Sequence, residues 1–519
     1  MSSKVYYVLL PITSLLSVLY FYYKSTSRNI WEQLGIPGPK RDSVSDPRDE
    51  LRTNFPQVLG QWREKYGRTY GVYGLQRNSP TLVTTDLGLL NHIMVKDFNN
   101  FRDRYFLNLT HSSVTDGLFF LSGSQWRRNR HVMTPLFTPA KLKTMLGHAN
   151  SSAQSLVELV KEYKKDGELI PAKKLAAKFA SDVIAKSGFG LDGQAVTKED
   201  NEFFFNINRY LVIGTLPQKI FNFLTFYFPA LADPLLTIFP SMDVIPREAD
   251  HYFIALAEAA LNRKRRDKES GREQGNAKDM LDHLVDVEVE NDVVLKEGDR
   301  AMTRNEIIGN STLLIFAAYE TTSSCLMSTM YCLAKYPDVQ ETLIAEVDRV
   351  MQGRRQPEYD DLVEMKYMEQ VINESMRMFP PVAHLKRVPR ETKTYDGVTI
   401  PKGTNVYIPL LSMMSDPEYW PNPDQFDPGR FSPDKSSELD TLKFMPFGVG
   451  PRHCIGQRFA LMELKVALSQ LLSSVRFVLT EQTEPKLGSD VFTVALVAYD
   501  FPFPAKPILL DVTLREGNN

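Results

Sequence analysis

Stretches of distinct apolar and polar pattern follow one another along the chain. The first is Val5 to Tyr23, nineteen residues without a charged side chain, long enough to span a bilayer as one helix. Lys24 and Arg28 follow it, then Lys40 and Arg41, and basic residues of this kind stay on the cytosolic side. Tyrosines and a lysine stand where a small-residue cleavage site would be, so the run reads as an uncleaved anchor rather than a signal peptide. Pro11 would kink this helix, which neighbouring packing tolerates. Ile36-Pro37-Gly38-Pro39 then forms a stiff, non-helical hinge.

Beyond the hinge, Tyr70 to Tyr73 and Thr81 to Thr85 predict two strands around a turn rich in Gly, Asn, Ser and Pro. From about residue 125 to 380 the apolar spacing is mainly helical. Within that region Thr303-Arg304-Asn305-Glu306 is a capping box opening a helix that runs to about Tyr336, where Pro337 stops it. Some thirty residues at 1.5 Å each span roughly 50 Å, enough to cross a domain. Lys264 to Arg304 is highly charged, breaks the helical pattern and reads as a solvated loop. Phe221 to Phe228 is unusually aromatic and reads either as core or as a surface that dips into a membrane. Further on, Asp396-Gly397 signals a hairpin, with Val398, Ile400, Val406 and Ile408 in extended runs. A proline-rich meander from about Trp420 to Pro433, a cysteine-bearing loop, a helical pattern after it and a β-like stretch from Phe492 to Tyr499 complete the chain, with no internal repeat.

Composition narrows the function classes. The chain has 519 residues, 43% of them hydrophobic, enough for a substantial core. Its formal net charge of −2 leaves no excess of cations for a nucleic-acid backbone. Three cysteines, Cys325, Cys332 and Cys454, make no disulfide framework and place the body in a reducing compartment. Cys325 and Cys332 lie seven apart in a helical pattern and read as core, and no His/Cys cluster has zinc spacing. The sequons at Asn108 and Asn310 fall in the cytosolic body and would go unused. The division expected is an anchor over 1–28, a hinge over 29–45 and one large domain over 46–519.

The most informative stretch is Phe447-Gly448-Val449-Gly450-Pro451-Arg452-His453-Cys454-Ile455-Gly456. A thiolate must be deprotonated to bind a metal, and free cysteine at neutral pH mostly is not. The helical pattern after Ile455 places Cys454 at a helix N-terminus, where unpaired N–H groups favour an anion. Gly448 and Gly450 permit a tight bend, and Gly456 leaves its backbone open to close approach. The stretch matches Phe-Gly-x-Gly-x-Arg-x-Cys-x-Gly at every fixed position and so resembles the cysteine loop of the cytochrome P-450 family. That resemblance implies a mainly α fold with small β sheets (α+β), behind the anchor. It also implies haem b as cofactor, Cys454 as axial iron ligand and Phe447 among the haem-binding residues.

Other segments carry the same resemblance. Phe316-Ala317-Ala318-Tyr319-Glu320-Thr321-Thr322, midway along the long helix, resembles the family's oxygen-binding segment. A mid-helix threonine hydroxyl bonds a carbonyl one turn back, opens a groove and donates to dioxygen there, and the acid passes protons from solvent. Thr321 and Glu320 are the expected catalytic pair, and Ala318 stands where the family usually has glycine. Glu374-Ser375-Met376-Arg377 resembles the family's Glu-x-x-Arg, with Arg430 of the meander as its implied third member, a structural lock beneath the haem. Gln125-Trp126-Arg127-Arg128-Asn129-Arg130 matches Trp-x-x-x-Arg on a helix, where residues four apart share a face and two donors can meet one carboxylate. By resemblance Trp126, Arg130, Arg452, Arg104 and Arg387 bind the haem propionates. The likeness is strongest to the animal microsomal members that metabolise drugs and steroids, carried also by Phe137 to Lys143.

The function this implies is insertion of one oxygen atom of O2 into a lipophilic substrate (xenobiotic, steroid or fatty acid), with electrons from NADPH through a reductase. The implied location is the endoplasmic reticulum membrane with a cytosolic catalytic domain. Expected partners are NADPH-cytochrome reductase, cytochrome b5 and the lipid bilayer, without nucleic acid. Arg127, Arg452, Arg458 and Lys465 are the expected basic docking face for an acidic reductase. Phe316, Ala317, Val382 and Ala383 are expected pocket positions by resemblance. Two rivals stand beside this: a haem-thiolate isomerase of lipid peroxides, which needs no reductase and leaves Glu320 and Thr321 idle, and a membrane-tethered haem sensor.

Overall fold

The computed structural model describes residues 30–39, 55–73, 80–104, 111–211, 215–227, 231–270, 279–435, 440–483, 492–494, 502–504 and 507–515. The expected anchor over residues 5–23, the hinge beyond residue 39, Asn108 and residues 495–499 lie outside them. Among the described residues no helix is long and apolar enough to cross a membrane.

Helices dominate. They include α1 (Gly123–Met133), α2 (Pro139–Lys165), α3 (Ala172–Phe189), α4 (Glu202–Leu211), α5 (Leu216–Tyr227), α6 (Ala232–Ile238), α7 (Arg247–Glu269), α8 (Arg304–Lys335), α9 (Pro337–Met351), α10 (Lys366–Met378) and α11 (Gln457–Ser474). The capping box sets the start of α8: Thr303 Oγ1 accepts from the Glu306 N–H and Glu306 Oε2 accepts from the Thr303 N–H. Pro337 ends it at Lys335, as the sequence predicts. Most of its side chains are buried on every face, the mark of a helix through the middle of a core. It packs along α3, and α2 packs along α11.

The strands are β1 (Thr69–Tyr73), β2 (Pro80–Thr84), β3 (Ile170–Pro171), β4 (Glu288–Val289), β5 (Met302–Thr303), β6 (Leu385–Arg387), β7 (Lys393–Tyr395), β8 (Val398–Ile400), β9 (Asn405–Ile408), β10 (Val475–Val478), β11 (Phe492–Val494), β12 (Pro502–Pro504) and β13 (Leu509–Leu514). The main sheet has the order β1-β2-β9-β6. β1 and β2 pair antiparallel, Thr69 opposite Thr84, while β2 runs parallel to β9 with Leu82 opposite Val406. The Asp396-Gly397 hairpin forms between β7 and β8, with both turn residues at positive φ (+47° and +82°), as a two-residue turn of this hand requires. Val406 and Ile408 sit one strand further, inside the main sheet. The hinge is non-helical as expected, and its Pro37 carbonyl accepts from the Gly71 N–H at 2.8 Å, so it lies against β1.

The charged run from Lys264 departs from the loop reading. α7 continues to Glu269 because its cations have partners across from it: Lys264 meets Asp279 at 2.6 Å and Asp282 at 2.9 Å, and Lys268 meets Asp286 at 2.5 Å. Of the aromatic run, Phe221 on α5 is fully buried in the core. Asn310 is buried too, donating to Asn129 Oδ1 at 2.9 Å, a position no glycan could reach.

Candidate functional site

The loop before α11 is built by close backbone approach. Gly448 and Gly450 have φ of +70° and +73°. A Cβ on Gly450 would lie 2.0 Å from the Met94 carbonyl oxygen, in the π-helical turn His92–Lys96, so only glycine closes this contact. The Cys454 N–H donates to the Phe447 carbonyl at 2.7 Å and the His453 N–H to the Gly450 carbonyl at 3.0 Å, folding the loop back on itself. The Cβ that Gly456 lacks would meet only the Phe137 ring at 3.7 Å, an ordinary contact, so the protein's own packing does not demand glycine there.

Cys454 stands two residues before Gly456, the N-cap of α11. Its side chain has accessible surface, yet protein surrounds the sulfur closely enough that burial pushes the thiol upward. The Gly456 N–H and the Arg130 and Arg104 charges pull the other way without prevailing. The Gly456 N–H thus favours the anion, as the sequence predicts, but burial outweighs it, and a bound cation would complete the shift.

Away from its two ends, α8 is accessible at Leu314, Ala317, Ala318 and Thr321, spaced three and four apart on one face of an otherwise buried stretch. Thr321 Oγ1 donates to the Ala317 carbonyl at 2.7 Å, the back-bond expected of a mid-helix threonine. Glu320 takes another face. It is buried, and its Oε1 accepts from Lys173 Nζ of α3 at 2.5 Å and from Ser324 Oγ at 2.9 Å. The same ammonium reaches Ser323 Oγ and Ser324 Oγ, each at 2.8 Å. Burial lowers the Lys173 pKa, opposed by the Glu320 carboxylate. The acid and alcohol adjacent in sequence are thus held apart, the acid on a lysine that the sequence pattern did not mark.

Three arginines converge beside the loop. An isolated bridge pairs Asp103 with Val388, next to β6, which brings Arg104 toward Arg387. Arg104 Nη2 lies 3.4 Å from the Arg452 carbonyl. Arg387 and Arg452 are buried, and Arg387 Nε and Nη2 and Arg452 Nε and Nη1 have no hydrogen-bond partner among the described residues. Burial lowers Arg452 to about 8, helped by the Arg104 and Arg387 charges and only partly opposed by Asp103. Burial and Arg104 hold Arg387 well below its ordinary value. Buried cations left unneutralised by the protein call for an anion of more than one charge. The two carboxylates of a haem fit that demand, and the thiol of Cys454 fits its iron.

Trp126 is buried on α1, with the Arg452 guanidinium 4.6 Å from its ring centre. Arg130, one turn on, turns to the loop: Nη1 donates to the His453 carbonyl at 2.8 Å. Arg130 thereby ties α1 to the cysteine loop. Phe447 is half-buried at the start of that loop. Of the expected pocket positions, Ala317 and Val382 are accessible, whereas Phe316 and Ala383 are buried in packing.

Glu374 and Arg377 of α10 form a fully buried two-point pair, Nε to Oε2 at 2.7 Å and Nη2 to Oε1 at 2.8 Å. Arg430 Nε lies 3.4 Å from Glu374 Oε1, and Arg377 also donates to the Met414 and Pro423 carbonyls. The trio read from sequence is thus brought together, and it anchors the meander to α10.

The expected docking face needs correction. Arg127 and Arg458 are exposed, but Arg452 and Lys465 are buried. Lys465 points inward because its ammonium donates to the Leu362 and Met365 carbonyls and meets Glu369. The sequence pattern also gave no sign of Arg128, which meets Glu306 at two points and donates to the Ala301 carbonyl. Arg128 stands between the motif positions Trp126 and Arg130, and the capping role of Glu306 concealed its second partner.

A family model described as Cytochrome P450 matches residues 48–499. The chain belongs to the cytochrome P-450 family. It is an enzyme of that haem-thiolate monooxygenase class. Among its relatives, Cytochrome P450 3A9 of Rattus norvegicus is 31% identical over 512 residues, covering 96% of this chain and 95% of that protein. Cytochrome P450 3A5 of Homo sapiens is 31% identical over 509 residues, with 96% and 95% covered. Cytochrome P450 3A40 of Oryzias latipes is 31% identical over 511 residues, with 98% and 96% covered. A P-450 assignment accounts for the mainly helical body with small sheets and for a haem that uses O2.

Proposed function

We propose that this P-450 inserts one oxygen atom into a lipophilic xenobiotic, steroid or fatty acid, drawing electrons from NADPH through a reductase, with cytochrome b5 as a second donor. Haem, when bound, supplies the oxygen-activating chemistry. Cys454 would hold the iron of that haem. Arg387, Arg452 and Arg104 take the propionates, with Trp126 beneath Arg452. Arg130 keeps α1 against the cysteine loop. The groove of Leu314, Ala317, Ala318 and Thr321 accepts dioxygen and substrate, and the Thr321 hydroxyl holds a donatable proton there.

The single observation that carries this reading is the set of partnerless buried guanidinium nitrogens of Arg387 and Arg452 in the neighbourhood of an accessible cysteine. The accessible Thr321 hydroxyl favours oxygen insertion over peroxide isomerisation or mere haem carriage, neither of which uses it. An apolar group of exposed side chains on and beside α4 to α6, including Phe205, Leu216, Ile220, Ile238 and Phe239, supports a membrane-dipping face. With the uncharged run at residues 5–23, it supports residence at the endoplasmic reticulum membrane through a 1–28 anchor, a 29–45 hinge and a cytosolic 46–519 catalytic domain.

The test is the carbon-monoxide complex of the reduced, haem-loaded protein. The red-shifted Soret band of a thiolate-bound haem is expected, and Cys454→Ser should abolish it. Its absence from intact protein, or its survival without the sulfur, defeats the assignment. NADPH-dependent, reductase-dependent product formation then separates the monooxygenase from the isomerase and the sensor.

A further inference from the structure

The face that α1 turns to solvent is basic, and one acidic side chain is built against it. Arg127 and His131, one turn apart, are exposed, as is Arg458 in the first turn of α11. The Arg130 bond to the His453 carbonyl holds α1 against the cysteine loop, so Arg127 and His131, each within a turn of Arg130, lie on the helix beside that loop, and Arg458 lies four residues past Cys454. An electron donor must come close to that loop, and a basic rim steers an acidic one.

Glu297 occupies part of this rim. Its Oε1 lies 2.5 Å from Arg127 Nη1, and its Oε2 lies 3.7 Å from Arg102 Nη1. The other Arg127 nitrogen, Nη2, donates to Asn99 Oδ1 at 3.0 Å. Both residues of the Arg127–Glu297 pair keep about two-fifths of their side-chain surface. An exposed pair of this kind contributes little to stability. Its placement is nonetheless fixed. Glu297 sits in a turn closed by the Asp299 N–H to the Lys296 carbonyl and by the Lys296 N–H to Asp299 Oδ2 at 2.7 Å. Two residues past that turn, the Ala301 carbonyl accepts from Arg128 Nη1 at 2.8 Å, and Arg128 is itself locked to Glu306. The turn is therefore clamped to α1 by the neighbour of the arginine it covers.

We infer that Glu297 is an internal stand-in for an acidic electron donor: it neutralises Arg127, and docking of an acidic flavoprotein face must displace it. The device sets partner exchange rather than chemistry. Tight docking slows turnover wherever the donor must leave between electron deliveries, and a competing carboxylate inside the docking face lowers the rate at which an acidic donor associates. The inference rests on the reductase reading above and extends it to a named residue.

The experiment uses full-length, haem-loaded protein and the NADPH-cytochrome reductase. Glu297→Gln should lower the reductase concentration giving half-maximal turnover by about threefold at low ionic strength, since a removed rim charge acts through association rate. The difference should close as salt shortens the Debye length from about 30 Å at 0.01 M to about 8 Å at 0.15 M. Glu297→Lys should shift it further in the same direction. Arg127→Gln should weaken docking little in the parent and clearly more in the Glu297→Gln background, a coupling that a merely structural role would not produce. The carbon-monoxide band should be unchanged in all variants, which separates docking from haem loss. Equal or weaker docking of Glu297→Gln at every salt concentration overturns the inference. Failure of every variant, including the parent, to accept electrons from the reductase with an intact carbon-monoxide band overturns the reductase reading and removes this inference with it.

Discussion

The Arg128 guanidinium on α1 and the Glu306 carboxylate in the first turn of α8 form a buried two-point ion pair, Nη1 to Oε2 at 2.8 Å and Nη2 to Oε1 at 2.5 Å. Asn129 Nδ2 adds a third bond to Oε1 at 3.1 Å, and Oε2 caps α8 through the Thr303 N–H. One carboxylate thus starts the helix that carries Thr321 and fixes it to the helix that carries Trp126 and Arg130. Removing one partner strands a buried charge, so Arg128→Ala is expected to cost about 3–5 kcal/mol of stability. Replacing both with apolar residues, Arg128→Met with Glu306→Leu, should cost much less, mainly the lost cap at about 0.5–2 kcal/mol. Denaturant unfolding of the two variants checks the order. Equal losses would show that the pair is not a unit.

The same pair gives a pH dependence. Burial raises the Glu306 pKa, but the bonds from Arg128, the Thr303 N–H and Asn129 outweigh it and hold the carboxyl below its ordinary 4.5. A depressed carboxyl contributes stability above its unfolded pKa and loses it as pH falls through the folded value. Unfolding free energy of the parent should therefore fall more steeply below about pH 4.3 than that of Glu306→Gln, and the two curves should run parallel between pH 5 and 7. Equilibrium denaturation at a series of pH values measures the difference in slope.

Gly450 tests how far the cysteine loop depends on a missing Cβ. Gly403 has a similar φ of +77° with nothing within 4 Å of its ideal Cβ, whereas the Cβ on Gly450 would strike a backbone oxygen. Gly403→Ala should cost only the conformational strain, about 1–3 kcal/mol. Gly450→Ala must in addition push the loop off the His92–Lys96 turn, moving Cys454 with it. Thermal stability should fall in both, while haem retention and the carbon-monoxide band should suffer only in Gly450→Ala. Normal haem retention in that variant would show that the loop has slack the close contact conceals.

What the sequence made legible was local. The capping box and Pro337 bounded α8, Asp396-Gly397 located a hairpin, and the glycines around Cys454 marked a tight loop, because each signal lies within a few residues of its effect. The partners of charged side chains were not legible. Lys173 meets Glu320 from 147 residues away in sequence, and Arg128 meets Glu306 across 178. Lys465 and Arg452 resembled surface cations and are buried, since a charge pattern defaults to solvent unless an interior partner exists. Single elements thus followed from periodicity and capping and the fold class from the family resemblance, whereas the electrostatics of the site needed the tertiary arrangement.

Thr321 offers the most direct functional prediction. The hydrogen bond of its hydroxyl is the back-bond to the Ala317 carbonyl, while Glu320 is engaged elsewhere with Lys173. Threonine back-bonding slightly weakens a helix, so Thr321→Ala should leave stability within about 0.5 kcal/mol of the parent. Without the hydroxyl, no side-chain proton donor stands on the accessible face of Leu314, Ala317 and Ala318. Oxygen reduced by two electrons should then leave as hydrogen peroxide instead of entering substrate, and product formed per NADPH should fall toward about a hundredfold, the low end of what a lost general acid costs. Thr321→Ser keeps the hydroxyl and should recover most of the yield. Parallel assays of NADPH consumption, peroxide and product distinguish this from simple damage: uncoupling leaves NADPH consumption high, whereas a misfolded site lowers all three. Unchanged coupling in Thr321→Ala would remove the hydroxyl from the mechanism and return the proton supply to Glu320 and the lysine that holds it.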